Sequence, residues 1–219
     1  MSTVLDAPHD RTAEPTLADL SQRFGPMPSW RIRTTPPPGT ATEADLLRIY
    51  DGESRLCELV DGILVEKDVG YEESVIAGRL LTALNNFVVS RKLGLVTGEA
   101  GMMAIAPRLV RIPDVAFVSR KRLPDGKIPT QPIPRLVPNL AVEVISRGNT
   151  DEEMRTKLDE YFQAGVELVW LIHPRLRTVD VFTSRESSVT LKESQTLTGG
   201  DILPGFCVEI RTLFAGLDD

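Results

Sequence analysis

One acidic residue lies inside an otherwise apolar stretch of this sequence. The segment Leu140-Ala-Val-Glu-Val-Ile145 is typical of a buried strand, and Glu143 is its single charged residue. Burying an ionised carboxylate alone costs so much free energy that the group normally acquires a partner or a proton. Glu143 is therefore a paired structural acid, a residue at an open sheet edge, or a ligand.

A second carboxylate stands at the start of an earlier apolar run. Asp114 directly follows Pro113 and opens the predicted strand Val115–Val118. If this strand neighbours that of Glu143, the two carboxylates meet on one side of a sheet, and like charges held close need a cation or a shared proton. The chain has only 2 His and 2 Cys. The expected cation is therefore hard, Mg²⁺ or Mn²⁺, with the backbone carbonyl of Val144 as a further ligand.

A lysine on the next predicted helix adds a third group. In the helical pattern over 151–164, the packed stripe is formed by Met154, Leu158 and Tyr161. Lys157 lies on the flank of this stripe, where it can bury its stem and direct its ammonium toward the carboxylates. Two acids, a metal and a lysine are the groups that metal-assisted phosphodiester hydrolysis uses.

Each of these residues also has a structural interpretation. Asp114 can cap the start of a strand, Glu143 can pair with an arginine, and Lys157 can be an ordinary surface lysine. Glu58 interrupts an apolar strand much as Glu143 does, so it is kept as an additional acidic candidate.

The charge distribution suggests a nucleic-acid partner without requiring one. Net charge is −6, which argues against a protein that coats nucleic acid indiscriminately. Residues 91–135 nevertheless hold 9 Lys and Arg against 3 acids. Within them, Arg120, Lys121 and Arg122 are either a phosphate-facing rim or a solvated loop face.

Composition and local patterns predict one α/β domain. No apolar stretch is long enough for a membrane span and no secretory signal is apparent, so a cytoplasmic protein with reduced thiols is expected. Residues 1–40 read as a flexible lead-in before a domain at 41–219. Within that domain, a hairpin at 55–66, a long helix at 72–92 and a strand–helix–strand unit at 140–172 predict a mixed β-sheet core flanked by helices.

These residues resemble the PD-(D/E)XK nuclease superfamily. More closely, the chain resembles the Uma-type (Uma two) putative restriction endonuclease family over roughly 41–214. The segments that carry the resemblance are Cys57–Gly62, Ile112–Val115, Val142–Ser146, Lys157 with Tyr161, Ala164–Val166, Val169–Pro174 and Leu203–Phe206. The resemblance implies a restriction-endonuclease-like core, a divalent metal, a DNA substrate and a homodimer.

Three positions depart from the pattern of the resembled families. Ile145 stands where the superfamily has its lysine, two residues after the second acid, so that role passes to Lys157. Glu73 stands where the Uma-type family often has a histidine, and it is either an auxiliary metal ligand or an acid favoured by the helix dipole. His173 stands where the family often has Asp and is interpreted as a structural strand-end residue.

The leading hypothesis is a Mg²⁺- or Mn²⁺-dependent DNA endonuclease. A nucleic-acid-binding or regulatory module that keeps the nuclease fold with little or no cleavage is the alternative. A hydrolase of small phosphoesters is a third hypothesis, and it would need a closed pocket in place of an open basic cleft. Function resides in the site, so the fold alone does not separate them.

Overall fold

The structure is a computed structural model that describes residues 15–217 of the 219-residue chain. Its helices are Leu17–Phe24 (α1), Glu43–Glu53 (α2), Tyr71–Ser90 (α3), Asp151–Ala164 (α4) and Ile210–Phe214 (α5). None of the helices in this part of the chain is long and apolar enough to cross a membrane.

Twelve strands form three sheets within the described residues. The strands are Cys57–Val60 (β1), Ile63–Glu66 (β2), Gly94–Gly98 (β3), Met103–Ala106 (β4), Leu109–Arg111 (β5), Val115–Ser119 (β6), Leu140–Val144 (β7), Leu168–His173 (β8), Thr178–Phe182 (β9), Ser188–Lys192 (β10), Thr196–Gly199 (β11) and Leu203–Glu209 (β12). The strand orders are β10-β9-β8-β7-β6-β3, β2-β1-β5-β4 and β11-β12.

The six-stranded sheet is mixed. β7 and β8 are parallel and the other neighbours are antiparallel, as expected when α4 is the crossover between β7 and β8. The predicted α/β class with a mixed sheet flanked by helices is confirmed, and so is the hairpin of β1 and β2.

Alternation along the strands gives the six-stranded sheet two buried faces. One face packs against α1, α4 and the four-stranded sheet through residues that include Ala116, Ala141 and Leu171. The other packs against α3, α5 and β12 through residues that include Val142 and Trp170. The period of 2 along β7 therefore points Glu143 toward α4 and away from α3.

Sequence signals locate both ends of α4. The Thr150 hydroxyl accepts the backbone N–H of Glu153 at 3.1 Å, and Gly165 ends the helix at φ 96°, a left-handed conformation that favours glycine. The Glu153 side chain does not complete a reciprocal capping box, because its carboxylate binds Arg31.

The N-terminal segment departs from the predicted flexible lead-in. Residues 15–40 include α1, and they bury Leu20 and Phe24 in the core against α4. Arg31, only 1% exposed, donates to both carboxylate oxygens of Glu153 at 2.8 Å. The sequence prediction missed these buried residues because the segment as a whole is rich in Pro and polar residues. Residues 1–14 of the predicted lead-in lie outside the described residues.

Candidate active site

Asp114 and Glu143 meet on one face of the six-stranded sheet. The antiparallel register pairs Val115 with Val142 and Ala116 with Ala141, so it places Asp114 opposite Glu143. Both carboxylates are buried, at 8% and 4% exposure. The structure thus brings together the two acids that the sequence pattern singled out.

Asp114 is held by a lysine that sequence reasoning missed. The Lys67 Nζ donates to Asp114 Oδ1 at 2.7 Å and to the Ile112 carbonyl at 2.6 Å. The Val144 N–H donates to Asp114 Oδ2 at 2.6 Å. Val144 therefore contributes its amide to the cluster, and the role of its carbonyl as a metal ligand stays a prediction.

Glu143 receives two donors from α4. The Tyr161 hydroxyl donates to Oε1 at 2.6 Å, and the Lys157 ammonium donates to Oε2 at 3.2 Å. Lys157 and Tyr161 are four residues apart and share one helix face, as the 3.6-residue period requires. Lys157 is only 3% exposed, so it is not an ordinary surface lysine.

Glu58 joins the same cluster from β1. Its Oε2 lies 3.2 Å from Lys157 Nζ and 2.6 Å from Arg111 Nη1, and its Oε1 accepts the Ile112 N–H at 3.0 Å. Arg111 also donates to Glu160 of α4, which is half-buried. Arg111 is the second cation that sequence reasoning missed, because its partner Glu58 is 53 residues away in the sequence and such a separation leaves no local pattern.

The inner cluster balances three carboxylates with three cations. The acids are Glu58, Asp114 and Glu143, and the cations are Lys67, Arg111 and Lys157. Low dielectric makes these attractions strong and makes a missing partner costly. The three acids and three cations named here therefore balance in charge, and the network extends from Arg111 to Glu160.

The two carboxylates that share Lys157 differ in acidity. Burial alone would raise the pKa of Glu58, but the charges of Lys157 and Arg111 outweigh it and hold that pKa well below its ordinary range. Burial does raise the pKa of Glu143, because Lys157 and Lys67 offset it incompletely while Asp114 and Glu58 repel the ionised form. An added positive charge beside Glu143 would favour its ionised form.

The donor chemistry of the acid pair fits a hard divalent cation. Mg²⁺ is commonly held by one or two carboxylates, together with water and substrate phosphate oxygens. Asp114 and Glu143 supply such a pair. Among residues 15–217, however, no three His, Cys, Asp or Glu side chains are grouped to hold a metal. The remaining ligands would have to come from backbone, water or substrate.

Glu73 lies on α3, whereas the inner cluster lies on the sheet face that packs against α4. It is half-buried in the first turn of α3, a helix that packs on the sheet face opposite α4. Its side chain folds back toward Gly70. The role of Glu73 as an auxiliary acid stays a prediction.

The basic triplet lies at the far end of β6 from Asp114. Arg120, Lys121 and Arg122 follow the last residue of that strand, whereas Asp114 precedes its first. Arg122 donates to the carbonyls of Pro138 and Gly165 at 2.8 and 2.9 Å. Arg122 is therefore engaged in holding the fold, and the exposed side chains of Arg120 and Lys121 remain available to a phosphate.

Comparison with models of known protein families shows which family the chain belongs to. The model of the Uma2 family, described as a putative restriction endonuclease, matches residues 43–211. The chain belongs to this family. The match spans every residue of the inner cluster, from Glu58 to Lys157, and it confirms the family suggested by the sequence.

A solved structure supports the fold. A putative nuclease belonging to DUF820 from Anabaena variabilis superposes with a TM-score of 0.65 at 18% identity, over 73% of this chain and 89% of that one. No curated protein matches the chain. The solved structure thus supports the fold, and the family membership supports a nuclease.

Proposed function

We propose that this Uma2 protein is a divalent-metal-dependent endonuclease that hydrolyses phosphodiester bonds of DNA. The observation that carries the proposal is the cross-strand pair Asp114 and Glu143, with the Lys157 ammonium 3.2 Å from Glu143. Membership of a putative restriction endonuclease family supports DNA as the substrate class. A homodimer and a cytoplasmic location stay predictions.

Each residue of the cluster has a distinct part in the proposed chemistry. Asp114 and Glu143 would hold Mg²⁺ or Mn²⁺, which neutralises phosphate charge and lowers the pKa of bound water. Tyr161 fixes one oxygen of Glu143 by its hydrogen bond. Lys157 supplies a positive charge beside the reacting phosphate, where preorganised donors stabilise developing negative charge.

Glu58 and Arg111 act one step further from the reacting atoms. Glu58 contacts Lys157 and Arg111 at once, and its second oxygen accepts the backbone N–H of Ile112. Because these contacts fix Glu58 in the interior, it can anchor the ammonium of Lys157 at the site. Glu58 is therefore proposed as a positioning residue.

The proposal is tested by a cleavage assay on plasmid, linear and branched DNA at low salt. Wild-type protein is expected to nick or cut at least one substrate with Mg²⁺ or Mn²⁺, and excess EDTA is expected to abolish the reaction. The reason is that the acid pair needs a cation before it can activate water. A folded, metal-loaded protein that cuts none of them would overturn the proposal.

The charge balance of the inner cluster favours one alternative, a nuclease fold that binds nucleic acid with little or no cleavage. Each of the three buried acids already has a cationic partner, so none of them requires a metal as a counter-charge. DNA binding in the absence of cutting, unchanged by Mn²⁺, would support this alternative.

Neutralising Arg120 and Lys121 is expected to weaken DNA binding and to flatten its salt dependence. Each lost phosphate contact reduces the magnitude of the slope of log K against log salt by roughly 0.9. The slope of the double alanine variant should therefore be smaller in magnitude by about 2. Binding measured by fluorescence anisotropy over a salt series checks this. The control removes equal charge from the exposed Arg175 and Lys192. An unchanged slope would assign the pair to a solvated loop face.

A further inference from the structure

Lys67 contacts the candidate metal ligand Asp114 at the most exposed edge of the inner cluster. It follows the last residue of β2, where its backbone N–H donates to the Leu56 carbonyl at 2.8 Å. Its residual exposure of 9% and the 8% of Asp114 exceed the 1–4% of the other inner-cluster residues. Lys67 and Asp114 therefore form the outer edge of the cluster, on the side from which an ion could enter.

The Lys67 ammonium contacts the kinds of oxygen that a hard divalent cation also binds. It contacts one carboxylate oxygen of Asp114 and one backbone carbonyl oxygen, that of Ile112, at 2.7 and 2.6 Å. Hard divalent ions choose carboxylate and carbonyl oxygens as well. The other oxygen of Asp114 is already bound by the Val144 N–H. A divalent ion bound at Asp114 would therefore lie close to the positively charged ammonium of Lys67 and be repelled by it.

We propose that Lys67 is the internal counter-cation of the acid pair and competes with a divalent ion for Asp114, so that this lysine sets the metal affinity of the site. The identity of the ion rests on the proposed function. The competition itself rests on the contacts of Lys67 and on the repulsion between an ammonium and a divalent ion at a few ångströms.

Lys157 is less suited to this role. It lies deeper, between Glu58 and Glu143, and its backbone is fixed in the middle of α4. Lys67 instead follows the end of β2, and its four-carbon stem can carry the ammonium outward while the backbone stays in place. The two lysines are therefore assigned different functions.

The test is Mn²⁺ binding to the full-length protein, measured by the electron paramagnetic resonance signal of free Mn²⁺. Lys67→Met, which keeps the stem and removes the charge, is expected to bind Mn²⁺ at least about tenfold more tightly than wild type, a modest share of the Coulomb repulsion removed. Lys67→Arg, which keeps the charge, is expected to bind as weakly as wild type. Equal or weaker binding by Lys67→Met would overturn the proposal.

Two further variants test where the ion binds and whether the effect is specific to Lys67. Asp114→Asn should lose the tight Mn²⁺ site in the Lys67→Met background, and retention would place the ion elsewhere and reject the proposal. Lys192→Met removes an exposed charge and should leave the affinity unchanged; an equal gain there would show a general charge effect and reject it too. If Lys67→Met fails to fold, Lys67→Gln takes its place, since its amide can still donate to Asp114.

The readout is independent of catalysis. Tighter Mn²⁺ binding by Lys67→Met, together with a metal-loaded wild type that cuts no DNA, would support the competition and reject the proposed endonuclease. Cleavage by wild type together with an unchanged Mn²⁺ affinity in Lys67→Met would support the proposed endonuclease and reject the competition.

Discussion

Glu143→Gln is expected to abolish metal-dependent DNA cleavage while the protein stays folded. The substitution removes the charge that would hold the cation and keeps the shape of the side chain. Burial already raises the pKa of Glu143, so a neutral group at this position is tolerated better than at Glu58. Initial cleavage rates with Mg²⁺ and Mn²⁺, beside circular dichroism and thermal unfolding, measure both effects.

The control for this substitution is Glu152→Gln on the exposed side of α4, where a surface acid is exchanged for its amide without touching the cluster. Its cleavage rate should equal that of wild type. If Glu143→Gln cuts as fast as wild type, the activity comes from another site or from a contaminant, and the assignment of Glu143 is wrong.

Lys157→Ala separates the lysine from the metal ligands in the same assay. The rate is expected to fall by about two or more orders of magnitude, comparable to losing one transition-state donor, while Mn²⁺ binding is retained. Because this change also removes a partner of Glu58 and Glu143, the rates are compared at a temperature at which both proteins are folded. Loss of Mn²⁺ binding in a folded variant would make Lys157 a structural residue.

The second large effect is on stability. Arg31→Met is expected to lower the free energy of unfolding by about 3–5 kcal/mol, because it leaves the buried carboxylate of Glu153 without its strongest partner. Both members of the pair have side chains only 2% exposed. Urea unfolding at neutral pH measures the loss, with Arg155→Met as the control, since its pair with Glu152 is exposed and should contribute less than about 1 kcal/mol.

The destabilisation by Arg31→Met should also depend on pH in a definite direction. Burial opposes ionisation of Glu153, but the hydrogen bonds from Arg31 and the charge of Lys157 hold its pKa below the ordinary 4.5. A depressed folded-state pKa stabilises the protein above 4.5, and this contribution is lost as the pH falls through the folded-state value. The difference between wild type and variant should therefore narrow in acid. A difference that widens below pH 4.5 would contradict the pairing.

The sequence by itself determined the elements around the site, from β6 to β8, and the two strand-borne acids. Continuous apolar runs located β6 and β7, and the Thr150 and Gly165 signals located α4. Glu143 was conspicuous because a charge within a buried strand needs a partner, and the helical period predicted that Lys157 would lie near it. These inferences depend on local rules that hold within one or two elements.

Only the tertiary structure decided how the charges of the cluster are paired. Lys67 and Asp114 are 47 residues apart, Arg111 and Glu58 are 53 apart, and Arg31 and Glu153 are 122 apart. No periodicity connects such positions. Glu58 and Arg111 lie on β1 and β5, which become neighbours only in the folded sheet, and the other two pairs join parts of the chain that meet only in the tertiary structure. From the sequence alone, Lys67 is only a polar residue at the end of a hairpin, and Arg31 is only part of a Pro-rich segment. Burial in a low-dielectric interior is what turns them into obligatory partners of the acids.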